Sequence, residues 1–254
     1  MTQNQALIGY TGFVGSNILA QHAFEFLYNS KNIEDICGKE FETVVCAGVP
    51  AVKWLANKEP DQDLATIHRL IKNLEKIKTN QLILISTIDV YSQTQGIDES
   101  CKIDIGMLQP YGKHRRLLEE FAEQNFNTLI IRLPGLFGPG LKKNPLFDLM
   151  NNNLTYIHPQ NLLQFYNLNN IWKDIEISLQ HKLPIVNFVT EPLLLAELAK
   201  NVFALELPAP STPPSQTYDI HTKYGSIWQS KKPYLYLKDM VLEDIKQFIS
   251  STSR

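Results

Sequence analysis

The chain has 254 residues, enough for one α/β domain with a small appended lobe. A hydrophobic fraction of 44% and a charged fraction of 20% suit a soluble globular protein with a sizeable core. The formal net charge of -2 gives no global basic field, so nucleic acid and anionic lipid are not expected partners.

No apolar run approaches the roughly 20 residues that a membrane-spanning helix needs. Residues 1–5 are polar and lack the basic-then-apolar order of a secretory signal. Cys37, Cys46 and Cys101 lie far apart, with neither metal-ligand spacing nor a disulfide framework. The six histidines are equally scattered, so no metal site is expected. These features point to the reducing cytoplasm.

The elements follow in chain order. Residues 5–10 read as a strand and 13–21 as a short helix. Residues 23–28 form a second candidate strand, and 43–47 (TVVCA) a third. Helical spacing of Leu64, Ile67, Leu70, Ile71 and Leu74 marks a helix over 61–78. Residues 81–86 (QLILIS) are continuously apolar, as a parallel strand covered on both faces requires. Residues 111–124 read as a helix with Leu117, Leu118, Phe121 and Ala122 on its apolar face, and 128–133 (TLIIRL) as the next strand. Such alternation predicts a Rossmann-type doubly wound parallel sheet.

The second half is less regular. Residues 134–140 are a Pro- and Gly-rich loop, with helical patches at 146–151, 169–179 and 192–205 and a further strand at 184–189. Residues 207–216 (LPAPSTPPSQ) read as a surface connection, and 238–249 as a final helix. The expected architecture is one domain over 1–254, with 134–208 contributing most of a small C-terminal substrate lobe.

Gly9, Gly12 and Gly15 stand at three-residue spacing between a predicted strand and a predicted helix. There the glycines permit a tight turn, close approach of backbone to a pyrophosphate, and tight helix–strand packing. Phe13 and Val14 open the helix, whose N-terminus offers N–H groups and a positive dipole end to the anion. A ligand-free glycine turn is the alternative; position, spacing and context together favour the phosphate. The second strand ends Tyr28-Asn29-Ser30-Lys31, without the carboxylate that would bind the ribose hydroxyls of NAD. A neutral or basic end suits the 2′-phosphate of NADP, so NADP is expected over NAD. Lys31 is either its cation or a solvated surface charge. Ala47 and Gly48, after the third strand, fall where a ligand passes in a doubly wound sheet.

Three further segments carry a resemblance. They are Ile85-Ser86-Thr87-Ile88-Asp89-Val90-Tyr91, Pro110-Tyr111-Gly112-Lys113-His114-Arg115, and Arg132-Leu133-Pro134-Gly135-Leu136-Phe137-Gly138-Pro139-Gly140. With the glycine turn, and in this order, they resemble the extended short-chain dehydrogenase/reductase family of sugar-nucleotide epimerases, dehydratases and reductases. The resemblance covers most of residues 6–140.

It implies that Thr87 hydrogen-bonds a substrate oxygen and that Tyr111 is the general acid/base accompanying hydride transfer to or from a nicotinamide. Pro134 and Leu136 would contact the nicotinamide side. A phenol has a pKa of about 10 and needs help near neutrality. The family supplies a lysine four residues after the tyrosine, on the same helix face, which also holds the nicotinamide ribose. Here position 115 is arginine. The cation survives, but guanidinium is bulkier, planar and never deprotonated. A helix-start tyrosine packed on the sheet is the alternative for Tyr111. The Asp-Glu pair of the dehydratases is Ile88-Asp89 here, which argues against dehydration. Gln164-Phe165-Tyr166 and Trp172 are candidates for a sugar pocket or, more simply, for core packing.

The leading expectation is therefore an NAD(P)-dependent oxidoreductase or epimerase acting on a carbohydrate or nucleotide-sugar alcohol or ketone. The lobe is short for the family, so a small substrate, or a lobe completed by a partner subunit in a homo-oligomer, would suit it. The rival is a dinucleotide-binding protein with little catalysis, serving as redox sensor, regulator or scaffold; Arg115 keeps it open. A degenerate fold that binds no dinucleotide is a third alternative.

Overall fold

A computed structural model describes residues 4–155, 157–209 and 216–252. In chain order the elements are β1 (Gln5–Ile8), α1 (Phe13–Gln21), β2 (Phe26–Tyr28), β3 (Glu40–Cys46), α2 (Lys53–Lys58), α3 (Pro60–Leu74), β4 (Lys78–Thr87), α4 (Pro110–Asn125) and β5 (Thr128–Leu133). Then come β6 (Gly135–Phe137), α5 (Pro145–Met150), β7 (Leu162–Leu163), β8 (Phe165–Asn167), α6 (Ile171–Gln180), β9 (Ile185–Asn187), β10 (Leu193–Leu194), α7 (Leu195–Phe203) and α8 (Lys238–Thr252). Of the expected connection at 207–216, residues 210–215 lie outside the described residues.

The main sheet has the order β2-β1-β3-β4-β5-β9, and β1 pairs parallel with both β2 and β3. Strand order reverses at β1, so a topological switch point lies between β1 and β3, where open α/β sheets bind ligands at their C-terminal ends. This is the Rossmann-type fold expected from the alternation. Leu82, Ile83 and Leu84 of β4 are fully buried, which explains their unbroken apolar run. β2 is a short edge strand. Lys39 covers it, donating to Tyr28 Oη at 2.9 Å and lying over the Phe26 and Tyr28 rings. A short edge capped by a lysine discourages pairing with another chain.

The chain divides into two compact units: 1–92, 102–132 and 169–186 in the first, and 93–101, 133–168 and 187–254 in the second. In the first, α3 starts with Pro60 and carries Asp61 and Asp63 in its first turn and Lys72 in its last, matching the helix dipole. It buries Ile67, Leu70 and Leu74 at helical spacing. The helix α4 differs from expectation. Its buried face is Tyr111, His114, Arg115, Leu118, Glu119 and Ala122, whereas Leu117 is exposed. A mixed polar and apolar stripe faces inward because every charged member has a partner. On α6, Trp172 stacks on His22 with ring centroids 3.8 Å apart and donates to Glu176.

In the second unit β6 pairs parallel with β8, and β7 antiparallel with β10. Its core joins Phe137, Leu146, Phe165, Leu193 and Leu198 to Val241, Ile245 and Phe248 of α8. Gln164 is buried, donating to the carbonyls of Thr190 and Ile220 and accepting from Ile220 N. Phe165 and Tyr166 are core residues of this unit, as the simpler reading of that stretch expected, and Trp172 belongs to the first unit.

Candidate active site

The turn after β1 is built by its glycines. Gly9 has φ +85, and a Cβ there would lie 2.4 Å from the carbonyl oxygen of Ala47. A Cβ at Gly15 would lie 2.1 Å from the carbonyl oxygen of Gly9. Both positions therefore exclude side chains on packing grounds. Gly12 is different: its φ is -78, and a Cβ would meet only the Gly9 oxygen at 3.3 Å. The backbone φ does not demand glycine there, and its absence of a side chain leaves the turn open to the approach of an anion. Gly12 is the N-cap of α1, with no side-chain cap and no acidic residue in the first turn, so the Phe13–Val14–Gly15 end is electrostatically suited to phosphate.

Beside this turn lies a cavity of about 330 Å³, within the size range of small-molecule sites. Gly9, Gly12, Asn29, Ser30, Ala47 and Gly48 line it, joined by Arg69 of α3. Its position between the ends of β1, β2 and β3 is the switch point of the sheet. Glycine turn, uncapped helix end and cavity together fit a dinucleotide. Asn29 is partly spent on shape: its Oδ1 accepts from Lys31 N, and its Nδ2 donates to Tyr10 Oη. Lys31 is exposed and is not among the lining residues. Arg69, which the sequence offered no reason to single out, donates to the Ser30 carbonyl and to Glu34.

Val49, also in the wall, has φ +66 and precedes Pro50. A β-branched residue in the left-handed region is strained, the more so before proline. Arg115 pins this loop, donating to the Pro50 carbonyl at 2.6 Å and to Asp63 Oδ2 at 2.5 Å. His114 Nδ1 lies 2.7 Å from the same carboxylate oxygen. The Arg115 guanidinium carbon sits 4.1 Å from the centroid of the Tyr111 ring. Arg115 thus lies on the ring face, with its charge answered by a buried carboxylate.

Thr87 ends β4, and Tyr111 opens α4. The α4 start approaches the Ile88–Val90 turn so closely that a Cβ on Gly112 would lie 2.0 Å from the Asp89 carbonyl oxygen. Only glycine allows that contact, which sets the start of α4, and Tyr111 with it, against the turn that follows Thr87. The Tyr111 N–H is capped by Asn57 Oδ1 at 2.9 Å. Burial, first of all, pushes the Tyr111 phenol above its ordinary pKa; Asp89 adds to this, while Arg115, Lys53 and the nearby Thr87 hydroxyl oppose it. Asp89 donates its N–H to Thr87 Oγ1 and pairs with Lys53 at 2.7 Å.

Pro134 and Leu136 belong to the second unit, flanking Gly135 where β6 meets β8. Among the described residues there is no cluster of candidate metal ligands, and no helix is long and apolar enough to cross a membrane.

The fold is Rossmann-type, with the glycine turn, Thr87 and Tyr111 at the C-terminal edge of its sheet. Solved structures narrow the fold. The UDP-N-acetylglucosamine 4-epimerase of Methanobrevibacter ruminantium superposes with a TM-score of 0.78 at 15% identity, over 98% of both chains. The UDP-glucose 4-epimerase of Thermotoga maritima, solved with UDP-glucose, gives 0.74 at 13% identity over 99% of both. RMD from Pseudomonas aeruginosa, complexed with NADPH, gives 0.73 at 15% identity over 98% of this chain and 100% of the other. The likeness is one of fold, and of the kind the four sequence segments pointed to. No protein-family model and no curated protein matches the sequence.

Proposed function

We propose that the protein is an NAD(P)-dependent oxidoreductase that reduces a carbonyl on a carbohydrate or nucleotide sugar. The observation that carries this reading is the placement of Thr87, at the end of β4, and Tyr111, at the start of α4, on the same sheet edge as the glycine turn and its cavity. A bound reduced nicotinamide would supply the hydride. Thr87 would hold the carbonyl oxygen, and Tyr111 would give it a proton, to be replaced from solvent. A buried phenol, protonated at neutral pH, suits donation. Arg115 would act on Tyr111 through the ring face and shape the nicotinamide side of the loop through Pro50. An epimerase would need Tyr111 to take a proton as readily as it gives one.

NADP is the expected cofactor. The end of β2 lacks a carboxylate, and Arg69, beside Asn29 and Ser30, presents a guanidinium suited to a 2′-phosphate. Gly9, Gly12, Phe13, Val14, Gly15, Ala47 and Gly48 would hold the dinucleotide. Pro134 and Leu136 are proposed for the nicotinamide side on the resemblance alone, and residues 134–208 for most of the substrate lobe.

The test is hydride transfer from NADPH to a panel of 4-keto nucleotide sugars, followed by nicotinamide absorbance. Tyr111→Phe is expected to lower turnover by about 10²–10⁴, the range for a general acid. An equally active Tyr111→Phe protein would remove Tyr111 from the mechanism. The engagement of Arg115 by Asp63 and Pro50 favours a second reading, a dinucleotide-binding protein without turnover. Tight NADPH binding with no transfer to any of the panel would support it.

A further inference from the structure

We propose that Lys53, through its ion pair with Asp89, is the positioning residue that tunes Thr87 and Tyr111, in the place left by the missing lysine at 115. The inference rests on the assignment of Tyr111 made above, and it concerns a residue of a different element.

The geometry runs as a chain. Lys53 opens α2, and its Nζ lies 2.7 Å from Asp89 Oδ1. The other oxygen of that carboxylate is 3.5 Å from Thr87 Oγ1, whose hydroxyl also accepts from Asp89 N at 3.1 Å. The Asp89 carbonyl in turn packs against Gly112, so Tyr111 at the start of α4 stands beside the same turn. The helix α2 is fixed to the start of α4, since its Asn57 caps Tyr111 N. Three polar groups from α2, the Ile88–Val90 turn and β4 thus form one connected line that ends against the start of α4, where Tyr111 stands.

The charges acting on Tyr111 are Arg115, Asp89 and Lys53. Arg115 is buried on the ring face, and Asp63, shared with His114, answers its charge. It is fixed. Lys53 and Asp89 oppose one another, and Lys53 has a side chain 46% exposed. Their balance is adjustable: a substrate or cofactor phosphate that draws Lys53 off Asp89 would change the field on Tyr111. A lysine, with a compact charge on a flexible stem, suits this task better than a stacked guanidinium.

The sign is fixed by electrostatics. Removing Lys53 removes a cation that favours tyrosinate, so the Tyr111 pKa rises; removing the Asp89 charge lowers it. The experiment is an NMR titration of cofactor-free protein labelled with ¹³C at tyrosine Cζ, the Tyr111 signal being assigned with Tyr111→Phe. Lys53→Met is expected to raise the midpoint by about half a pH unit or more, less than for a close buried pair because Lys53 is half exposed. Asp89→Asn is expected to lower it, Lys53→Arg to leave it near wild type, and high salt to shrink both differences.

An unmoved midpoint in Lys53→Met would overturn the proposal. So would a Lys53→Arg protein shifted as far as Lys53→Met, which would mean loss of packing rather than charge. Should the fold give way before Tyr111 titrates, the alkaline limb of the pH–rate profile for hydride transfer carries the same expected shifts and the same refutation. Failure of dinucleotide binding would sink the proposed function without moving the titration, so the two claims fail separately.

Discussion

Arg115 occupies the position where the resembling family has its lysine, and its surroundings explain why arginine can stand there. Its two donor arms reach the Asp63 carboxylate and the Pro50 carbonyl, while its plane lies on Tyr111. A lysine has one compact ammonium and no plane to stack, so it cannot reproduce all three contacts. Arg115→Met would leave Asp63 buried beside His114 without its cation. That is expected to cost about 3–5 kcal/mol, as for other broken buried pairs. Arg115→Lys should cost about 1–2 kcal/mol, keeping the charge and losing the bond to Pro50. Chemical denaturation of both variants checks this; an Arg115→Lys protein as stable as wild type would show the Pro50 bond to be dispensable. Thr87, Tyr111 and Arg115 were legible because they stand in short local motifs. Asp63 was not, because it lies on α3, far from Arg115 in sequence, and only folding joins them. Lys53 and Arg69 escaped for the same reason: a single cation in a helix looks like solvated surface until its neighbours are known.

The elements that position the site are tied together by a buried polar network. Glu119 of α4 is fully buried; it accepts from Ser86 Oγ at 2.5 Å and from Arg132 Nη2 at 2.7 Å. Arg132 also donates to Tyr91 Oη, and Arg116 to Glu119. The network joins β4, α4 and β5 just behind Thr87 and Tyr111. Every member has a partner, which is what makes a buried ion pair tolerable. Arg132→Met is expected to cost about 3–5 kcal/mol, since Glu119 would keep its charge and lose its bidentate partner. Urea unfolding measures it, and a loss below about 1 kcal/mol would contradict the structural role. Strands β3, β4 and β5 and helices α3 and α4 were legible from apolar runs and helical spacing. The helix α2 was not: Trp54 is 64% exposed and Ala56 is its only buried residue, so no apolar face marks it. Nor was the inward face of α4, because charged residues that pair with one another read as surface. The second strand is shorter than expected, as an edge strand has only one neighbour to extend it.

At the scale of the whole molecule, the legibility falls from one unit to the other. The parallel sheet repeats one device, so its sequence repeats one pattern. The second unit relies on strands of two or three residues, and its core collects Phe137, Leu146, Leu193 and Val241 from distant parts of the chain. Helices α7 and α8 carry regular apolar stripes, and they form where the spacing of Leu195, Leu198 and Ala199 and of Val241, Ile245 and Phe248 places them. The substrate specificity proposed for that unit therefore rests on analogy of fold, whereas dinucleotide binding rests on residues of the first unit. Calorimetric titration with NADPH and NADH tests that claim most directly, using wild type and Gly12→Asp. The substitution suits the purpose because Gly12 has an ordinary φ and a Cβ there would meet a single backbone atom, the Gly9 oxygen at 3.3 Å, which a small shift relieves. The account predicts that wild type binds NADPH more tightly than NADH. It predicts that Gly12→Asp, still folded, loses about tenfold or more in affinity, because a carboxylate would stand where the pyrophosphate must lie. Wild-type protein that binds neither nucleotide at millimolar concentration, or a Gly12→Asp protein that binds as well as wild type, would contradict it.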